Sequence, residues 1–177
     1  MKKRKIFFIL FPLFLGIGIY LLYRSRNLFY FKIFETHPTI YNYVIKIRDL
    51  AWNYRKHLPL WSVYSLPDGL WLFSFGAILL IDRYFYFLHF ILFSGIYIFM
   101  IILEYIQKYY GGHGTMLGTF DKFDILFFTL GYISISIISF IFYKKNHHTV
   151  KTKKIEILED IKFCFIFLIL GILPSLF

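Results

Sequence analysis

Five long runs of apolar residues limit what this chain can fold into more strongly than any other feature of the sequence. They cover residues 6–23, 66–81, 84–103, 123–143 and 161–177. A helix needs about 20 apolar residues to cross a bilayer, and only helices and closed barrels satisfy their backbone hydrogen bonds there. Hydrophobic residues make up 59% of the 177 residues, above the level of soluble domains. The sequence therefore predicts an all-α, polytopic helical membrane protein, a single membrane domain (1–177) with about five transmembrane helices.

The ends of the first three runs add detail to this prediction. The run 66–81 is short for a span, so it could stand upright in the membrane or enter it partway and return. Only Asp82-Arg83 separates it from the next run, which predicts an antiparallel hairpin of two helices. The first run follows a basic start as in a signal peptide, but its length and the lack of an Ala-x-Ala site favour an uncleaved anchor.

Basic residues lie mainly at the ends of the apolar runs. The formal net charge is +10, from 20 Lys and Arg against 10 Asp and Glu. This placement suits anionic headgroups, and no nucleic-acid-binding module is recognisable, so we predict membrane lipids and not nucleic acid as partners. With five spans and a cytoplasmic N-terminus, eleven Lys and Arg face the cytoplasm and nine face the other side, a small excess for that orientation.

Residues 39–57 have the spacing of an amphipathic helix. One face would carry the apolar residues Ile40, Tyr43, Val44, Ile47, Leu50, Ala51 and Tyr54. Two interpretations remain open at this point. The helix could lie in the membrane interface with Trp52 and Trp61 at headgroup level, or it could pack on the other helices.

Motifs for metal or cofactor chemistry are missing from the sequence. Cys164 is the only cysteine, His147-His148 has no second pair of ligands, and the glycines of 111–118 lack the Gly-Lys-Ser/Thr ending of a phosphate-binding loop. His89, among aromatic residues, is expected to be a hydrogen-bonded buried histidine. We therefore predict no cofactor and no metal site, and leave open whether the chain is an enzyme.

Five polar residues near the ends of the apolar runs are the candidate binding residues: Asp68, Glu104, Gln107, Asp121 and Asp124. Ionisable groups at membrane depth are costly and therefore mark functional sites. Each also has a structural explanation. Ser65 and Asp68 have the spacing of a helix N-cap followed by an acid three residues later, and the two later aspartates repeat it. Glu104 could be solvated at the membrane surface beside Lys108 at i+4.

Topology predicts that these residues meet at one membrane face. If the third and fourth runs are antiparallel neighbours, Glu104 and Gln107 end one helix where the last two aspartates begin the next. Asp68 begins the second helix at the same face, because the tight turn after that helix lies on the opposite side. Such a cluster could protonate, bind a cation or hold a polar headgroup.

The polar residues also follow one another in a characteristic order. The pattern is Glu104-x-x-Gln107, a glycine-bearing loop, Gly118-Thr119-Phe120-Asp121-x-x-Asp124-Ile125-Leu126 and a later Gly131, all within residues 66–135. This order resembles the C-terminal core of the VanZ-like membrane protein family, although that family commonly has Pro-Gly-Arg where this chain has Leu117-Gly118-Thr119. The resemblance implies a small cell-envelope protein of the bacterial cytoplasmic membrane, with some relatives linked to low-level glycopeptide resistance and no settled activity.

These observations lead to four hypotheses about function. The leading one is a VanZ-like envelope protein whose polar site binds a lipid headgroup or a lipid-linked precursor. A small transporter or channel-like subunit would need charges along a path through the bilayer centre. An intramembrane enzyme would need His89 or His113 within reach of Glu104 or Asp121. A structural or accessory subunit would need the polar residues only as helix caps.

Overall fold

A computed structural model describes residues 2–24, 35–112 and 119–146. These ranges are helical and contain no strand. The helices are α1 (Lys2–Tyr23), α2 (Pro38–Trp52), α3 (Leu60–Tyr64), α4 (Leu66–Leu80), α5 (Tyr86–Tyr110) and α6 (Lys122–Asn146), with a short 3₁₀ turn at Arg55–His57. The fifth predicted span, 161–177, lies outside the described residues, as do Cys164 and the pair His147-His148.

Four segments of the described chain are long and apolar enough to cross a membrane. They are Arg4–Tyr23, Leu60–Leu80, Tyr86–Tyr110 and Lys122–Lys145. The prediction of an all-α, polytopic helical membrane protein is therefore confirmed.

The second of these spans begins earlier than the sequence predicted. Ser65 has helical backbone angles, its N–H donates to the Trp61 carbonyl at 3.0 Å, and its own carbonyl accepts from Gly69. The helix therefore continues from α3 into α4, which gives a span of 21 residues in place of the short run 66–81. The predicted N-cap at Ser65 is wrong, because the preceding turn already supplies carbonyls to the N–H groups that a cap would satisfy.

Helix α4 is the centre of the bundle. Of the most apolar stretch of its span, 67% is buried inside the protein, whereas the figure is 17% or less for each of the other three spans. Helices α1, α5 and α6 pack around it and keep most of their outer side chains exposed. Apolar side chains on the outside of a membrane bundle face lipid, so this distribution suits a bilayer.

Helices α4 and α6 run parallel and touch through two glycines. A Cβ atom added to Gly69 would lie 2.5 Å from the Phe127 carbonyl oxygen, and one added to Gly131 would lie 2.4 Å from the Gly69 carbonyl oxygen. Small residues at such positions let helix backbones approach each other inside a membrane. This close contact sets the position of the start of α4 against the start of α6.

The end of the bundle away from the start of α4 holds the tight turn that the sequence predicted. Asp82 has a φ of 59°, in the left-handed region, and the chain reverses there between α4 and α5. Lys5 donates to the Ile81 carbonyl at 2.9 Å, and Arg83 donates to the Ile78 carbonyl at 2.6 Å. These cations satisfy carbonyls at the C-terminus of α4, where the helix dipole also favours positive charge.

Helix α2 docks on the end of α1. Arg48 is buried and donates to the carbonyls of Leu21, at 2.8 Å, and Arg24, while Val44 and Ile45 pack against the same end of α1. The remaining apolar stripe of α2 is exposed; it consists of Ile40, Tyr43, Ile47 and Leu50, and Tyr54, just after the helix, is exposed as well. One edge of α2 thus packs on another helix, and the membrane-interface role of its exposed stripe stays a prediction.

Candidate functional site

Four helices have an end on the same side of the bundle. Helices α1 and α5 finish there, at Tyr23 and Tyr110, and helices α4 and α6 begin there, at Leu66 and Lys122. We call this side the carboxylate end. It lies opposite the Asp82 turn, so acidic residues at the starts of α4 and α6 come close to the final turns of α1 and α5.

The structure brings four of the five candidate binding residues together at this end. Asp68, Glu104, Asp121 and Asp124 form what we call the carboxylate cluster. The charge of Asp124 acts on both Asp68 and Glu104, and Glu104 also interacts with Asp68 and Asp121. These electrostatic interactions link acids from three different helix ends.

Asp68 receives a hydrogen bond from a tyrosine that lies 48 residues earlier in the chain. The Tyr20 hydroxyl donates to Asp68 Oδ1, and Tyr20 is itself buried near the end of α1. Asp68 therefore does not act as the partner of a Ser65 cap. Sequence reasoning missed Tyr20, because it lies inside the first apolar run and nothing in its spacing points to Asp68.

Asp121 is the N-cap of α6. Its Oδ1 accepts the Phe123 N–H at 2.9 Å, as expected of an aspartate at this position. Its Oδ2 lies 3.5 Å from the hydroxyl of Ser65, which also hydrogen-bonds to Asp124. The predicted capping role of Asp121 is confirmed, and the same side chain also reaches across to the start of α4.

Glu104 is buried beside these groups. It is only 6% exposed, the backbone N–H of Asp121 donates to its carboxylate, and its Oε2 has no hydrogen-bond partner among the described residues. Lys108 points elsewhere, with Nζ 5.9 Å from the ring centre of Tyr109 and 5.7 Å from that of Phe120. The alternative of a solvated Glu104 beside Lys108 is therefore wrong.

A second acceptor in the cluster is also left without a donor. Asp124 Oδ1 is buried and has no hydrogen-bond partner in the part of the chain that the structure describes. Buried acceptors are nearly always paired, and leaving one unpaired costs about 1–3 kcal/mol or more for a charged group. Two such oxygens, Glu104 Oε2 and Asp124 Oδ1, therefore lie in one cluster whose own donors do not satisfy them.

One cation stands beside the cluster. The charge of Arg24 acts on both Asp68 and Asp124, yet no ion pair joins Arg24 to a carboxylate of the described residues. Its guanidinium carbon lies 4.5 Å from the ring centre of Tyr20 and 5.6 Å from that of Tyr64. In the sequence Arg24 looked only like a basic residue that flanks the first span.

Neither of the other two candidates is hydrogen-bonded to the cluster within the described ranges. Gln107 lies one turn after Glu104 on α5, and no hydrogen bond between described residues joins its side chain to the four carboxylates. The Nδ1 atom of His89 lies 2.9 Å from the Phe85 carbonyl oxygen at the start of α5, and His89 is 15 residues before Glu104, or roughly 22 Å along the helix axis. His89 therefore cannot assist Glu104 in proton transfer, and His113 lies outside the described residues.

The cluster is not arranged as a metal centre. Among the residues that the structure describes, no group of three or more His, Cys, Asp or Glu side chains could hold one metal ion.

Comparison with models of known protein families, with curated proteins and with solved structures finds no match. The resemblance to the VanZ-like family therefore stays a prediction that rests on the motif from Glu104 to Gly131. What the fold defines is a class, the polytopic helical membrane proteins, with a carboxylate cluster at one end of the bundle.

Proposed function

We propose that this chain is a cell-envelope protein of the bacterial cytoplasmic membrane that binds a polar headgroup, of a lipid or a lipid-linked precursor, in the carboxylate cluster. The observation that carries the proposal is the pair of buried, unpaired oxygens, Glu104 Oε2 and Asp124 Oδ1. A headgroup with hydrogen-bond donors would satisfy both. The VanZ-like order of residues supports the same assignment, including a relation to glycopeptide resistance.

The depth of the cluster supports a headgroup as the ligand. Asp121 immediately precedes α6, and Glu104 lies six residues before the end of α5, about 9 Å inside that end. The polar headgroup layer of a bilayer occupies a comparable depth on each side of the hydrocarbon core. A headgroup could therefore reach the cluster while its acyl chains stay among the exposed apolar side chains of the bundle.

Helix capping alone does not account for the cluster. Among the four carboxylates, and within the described part of the chain, only Asp121 accepts a hydrogen bond from a backbone N–H at the start of its own helix. Asp68 accepts from Tyr20, and Glu104 lies near the C-terminal end of α5, where a negative charge is unfavourable. The structural-subunit hypothesis thus accounts for the Glu104 oxygen that accepts the Asp121 N–H, but not for the unpaired Oε2 of the same side chain.

A transporter receives less support from the described residues. Their ionisable side chains lie toward the ends of the spans, whereas the polar groups between α5 and α6 are hydroxyls bonded to one another. These pairs are Tyr97 with Thr129 at 3.0 Å, Ser94 with Tyr132 at 2.8 Å and Tyr86 with Ser139 at 3.2 Å. Such pairs hold helices together and do not form a charged path across the membrane.

The proposal can be tested by identifying the lipids that stay bound to the purified full-length chain. Native mass spectrometry of wild type, Glu104→Gln and Asp124→Asn should show loss of a retained lipid or precursor in both variants. Asp82→Asn is the matched control, since it removes a carboxylate at the opposite end and asparagine tolerates the positive φ. Equal retention by all four proteins would overturn the proposal.

A further inference from the structure

We infer that the headgroup carries a primary ammonium next to a phosphate, with the ammonium donating to Glu104 and Asp124 and the phosphate bound by Arg24. This inference rests on the proposed headgroup site and names the chemistry that the site selects. Phosphoethanolamine is the simplest group of this kind.

The first step is the balance of charge at the site. Four carboxylates come together, and Arg24 is the one described cation whose charge acts on the cluster. A purely anionic headgroup would bring more negative charge to a site that is already formally negative. Like charges in a poorly solvated place repel strongly, so a cationic hydrogen-bond donor fits the cluster better than an anionic group does.

The second step is the supply of hydrogen-bond donors. The protein itself offers the hydroxyls of Tyr20 and Ser65 and the backbone N–H groups of Asp121 and Phe123. These four donors face four carboxylates, each of which can accept several hydrogen bonds. The unpaired oxygens of Glu104 and Asp124 are what remains, so the ligand must bring at least two N–H or O–H groups.

A primary ammonium meets both requirements. It carries one positive charge and three donors on a compact group. A quaternary ammonium carries the same charge without a donor and is usually held by a cage of aromatic rings. Here the nearby rings of Tyr20 and Tyr64 already lie against Arg24 and are not free to form such a cage.

The third step is the position of Arg24. Its guanidinium is held against two tyrosine rings and has no ion pair with the described carboxylates, although their charges attract it. Guanidinium groups bind phosphate with two parallel hydrogen bonds. A headgroup whose ammonium lies among the carboxylates would therefore place its adjacent phosphate beside Arg24.

The inference is tested with the full-length chain in lipid nanodiscs that contain one probe lipid each. The probes are phosphatidylethanolamine, its N-trimethylated analogue phosphatidylcholine and the anionic phosphatidylglycerol, all with the same acyl chains. The first two share charge and phosphate and differ in the ammonium group, which carries three N–H donors in the first and three methyl groups in the second. We expect native mass spectrometry to show phosphatidylethanolamine retained about tenfold or more over phosphatidylcholine, because charge-assisted hydrogen bonds contribute about that much.

Variants then test which residues bind the ammonium and which residue binds the phosphate. Glu104→Gln and Asp124→Asn should abolish the preference for phosphatidylethanolamine, and Arg24→Gln should weaken both phosphate-bearing zwitterions by the same factor. Asp82→Asn should keep the wild-type preference. Each variant is first shown to have the elution volume and thermal stability of a folded protein, so that a loss of binding is not a loss of fold.

The outcomes separate this inference from the proposed function. If phosphatidylcholine or phosphatidylglycerol is retained as well as phosphatidylethanolamine, and retention still requires Glu104, the headgroup site stands and the ammonium assignment is overturned. If no lipid depends on Glu104, both are overturned. Competition with soluble phosphoethanolamine distinguishes the source of the ligand: displacement of the lipid shows that the polar group alone suffices, and failure to displace it shows that acyl chains are required.

Discussion

Replacing Gly69 with alanine should destabilise the bundle far more than the same change at Gly95. A Cβ at Gly69 would lie 2.5 Å from the Phe127 carbonyl oxygen, whereas a Cβ at Gly95 has no heavy atom within 4 Å. Ordinary contacts begin near 3.4 Å, so α4 and α6 would have to separate by about 1 Å to admit the methyl group. The obstacle is backbone, which cannot rotate away as a side chain can.

The size of the effect follows from two opposing contributions. Overpacking of this kind costs about 1–3 kcal/mol, while alanine in place of glycine inside a helix gains up to about 1 kcal/mol. At Gly95 only the gain remains, so the two variants should differ by about 2 kcal/mol in the free energy of unfolding. Gly131→Ala should behave like Gly69→Ala, and Gly76→Ala should cost less, since its nearest obstacles are the ring tip of Phe93 and a methyl of Ile135.

The assay is reversible unfolding of the full-length chain in mixed micelles with an increasing fraction of a denaturing detergent, followed by circular dichroism. If Gly69→Ala and Gly95→Ala unfold with free energies within about 0.5 kcal/mol of each other, the close contact between α4 and α6 is refuted.

Three further predictions concern other contacts of the bundle. Arg48→Met should make α2 more sensitive to proteolysis, because each carbonyl left without a donor costs about 1–3 kcal/mol. The control Lys46→Met, on the exposed side of α2, should leave the cleavage rate unchanged. Equal cleavage of the two variants would contradict the role of Arg48 in docking α2 on α1. A double-mutant cycle of Tyr97→Phe and Thr129→Val should give a coupling energy of about 0.6 kcal/mol in detergent unfolding, and zero coupling would count against their hydrogen bond. Asp121→Ala should lower the free energy of unfolding by about 1 kcal/mol, whereas Asp121→Asn, which can still cap α6, should stay near wild type. If thermal unfolding shows the two variants to be equally stable, the loss of stability does not come from the lost cap.

Part of the candidate site could be predicted from the sequence. The carboxylates lie at the ends of apolar runs, and antiparallel neighbours necessarily bring such ends to one side. Asp121 could also be recognised as a cap, since an N-cap depends only on residues within one turn. The role of Ser65 could not be recognised in this way, because whether a cap is needed depends on whether the preceding residues are helical.

No local sequence pattern could predict which hydrogen-bond donors and cations lie beside the carboxylates. Tyr20 bonds to Asp68 across 48 residues, and Arg24 reaches the same cluster from the end of α1. Spacing also left open whether Glu104 is solvated or part of a polar site, whereas packing buries it with one oxygen unpaired.

The sequence by itself determined that the chain forms membrane-spanning helices. Unpaired backbone groups are so costly in hydrocarbon that an apolar run of this length has to form a helix, which pairs them within the run. Only the tertiary structure decided which helix is central, that Gly69 and Gly131 let α4 and α6 touch, and which carboxylate oxygens remain without donors. The physical reason is that hydropathy acts on each segment separately, whereas hydrogen bonds between segments and close contacts between helices depend on how all of them pack together.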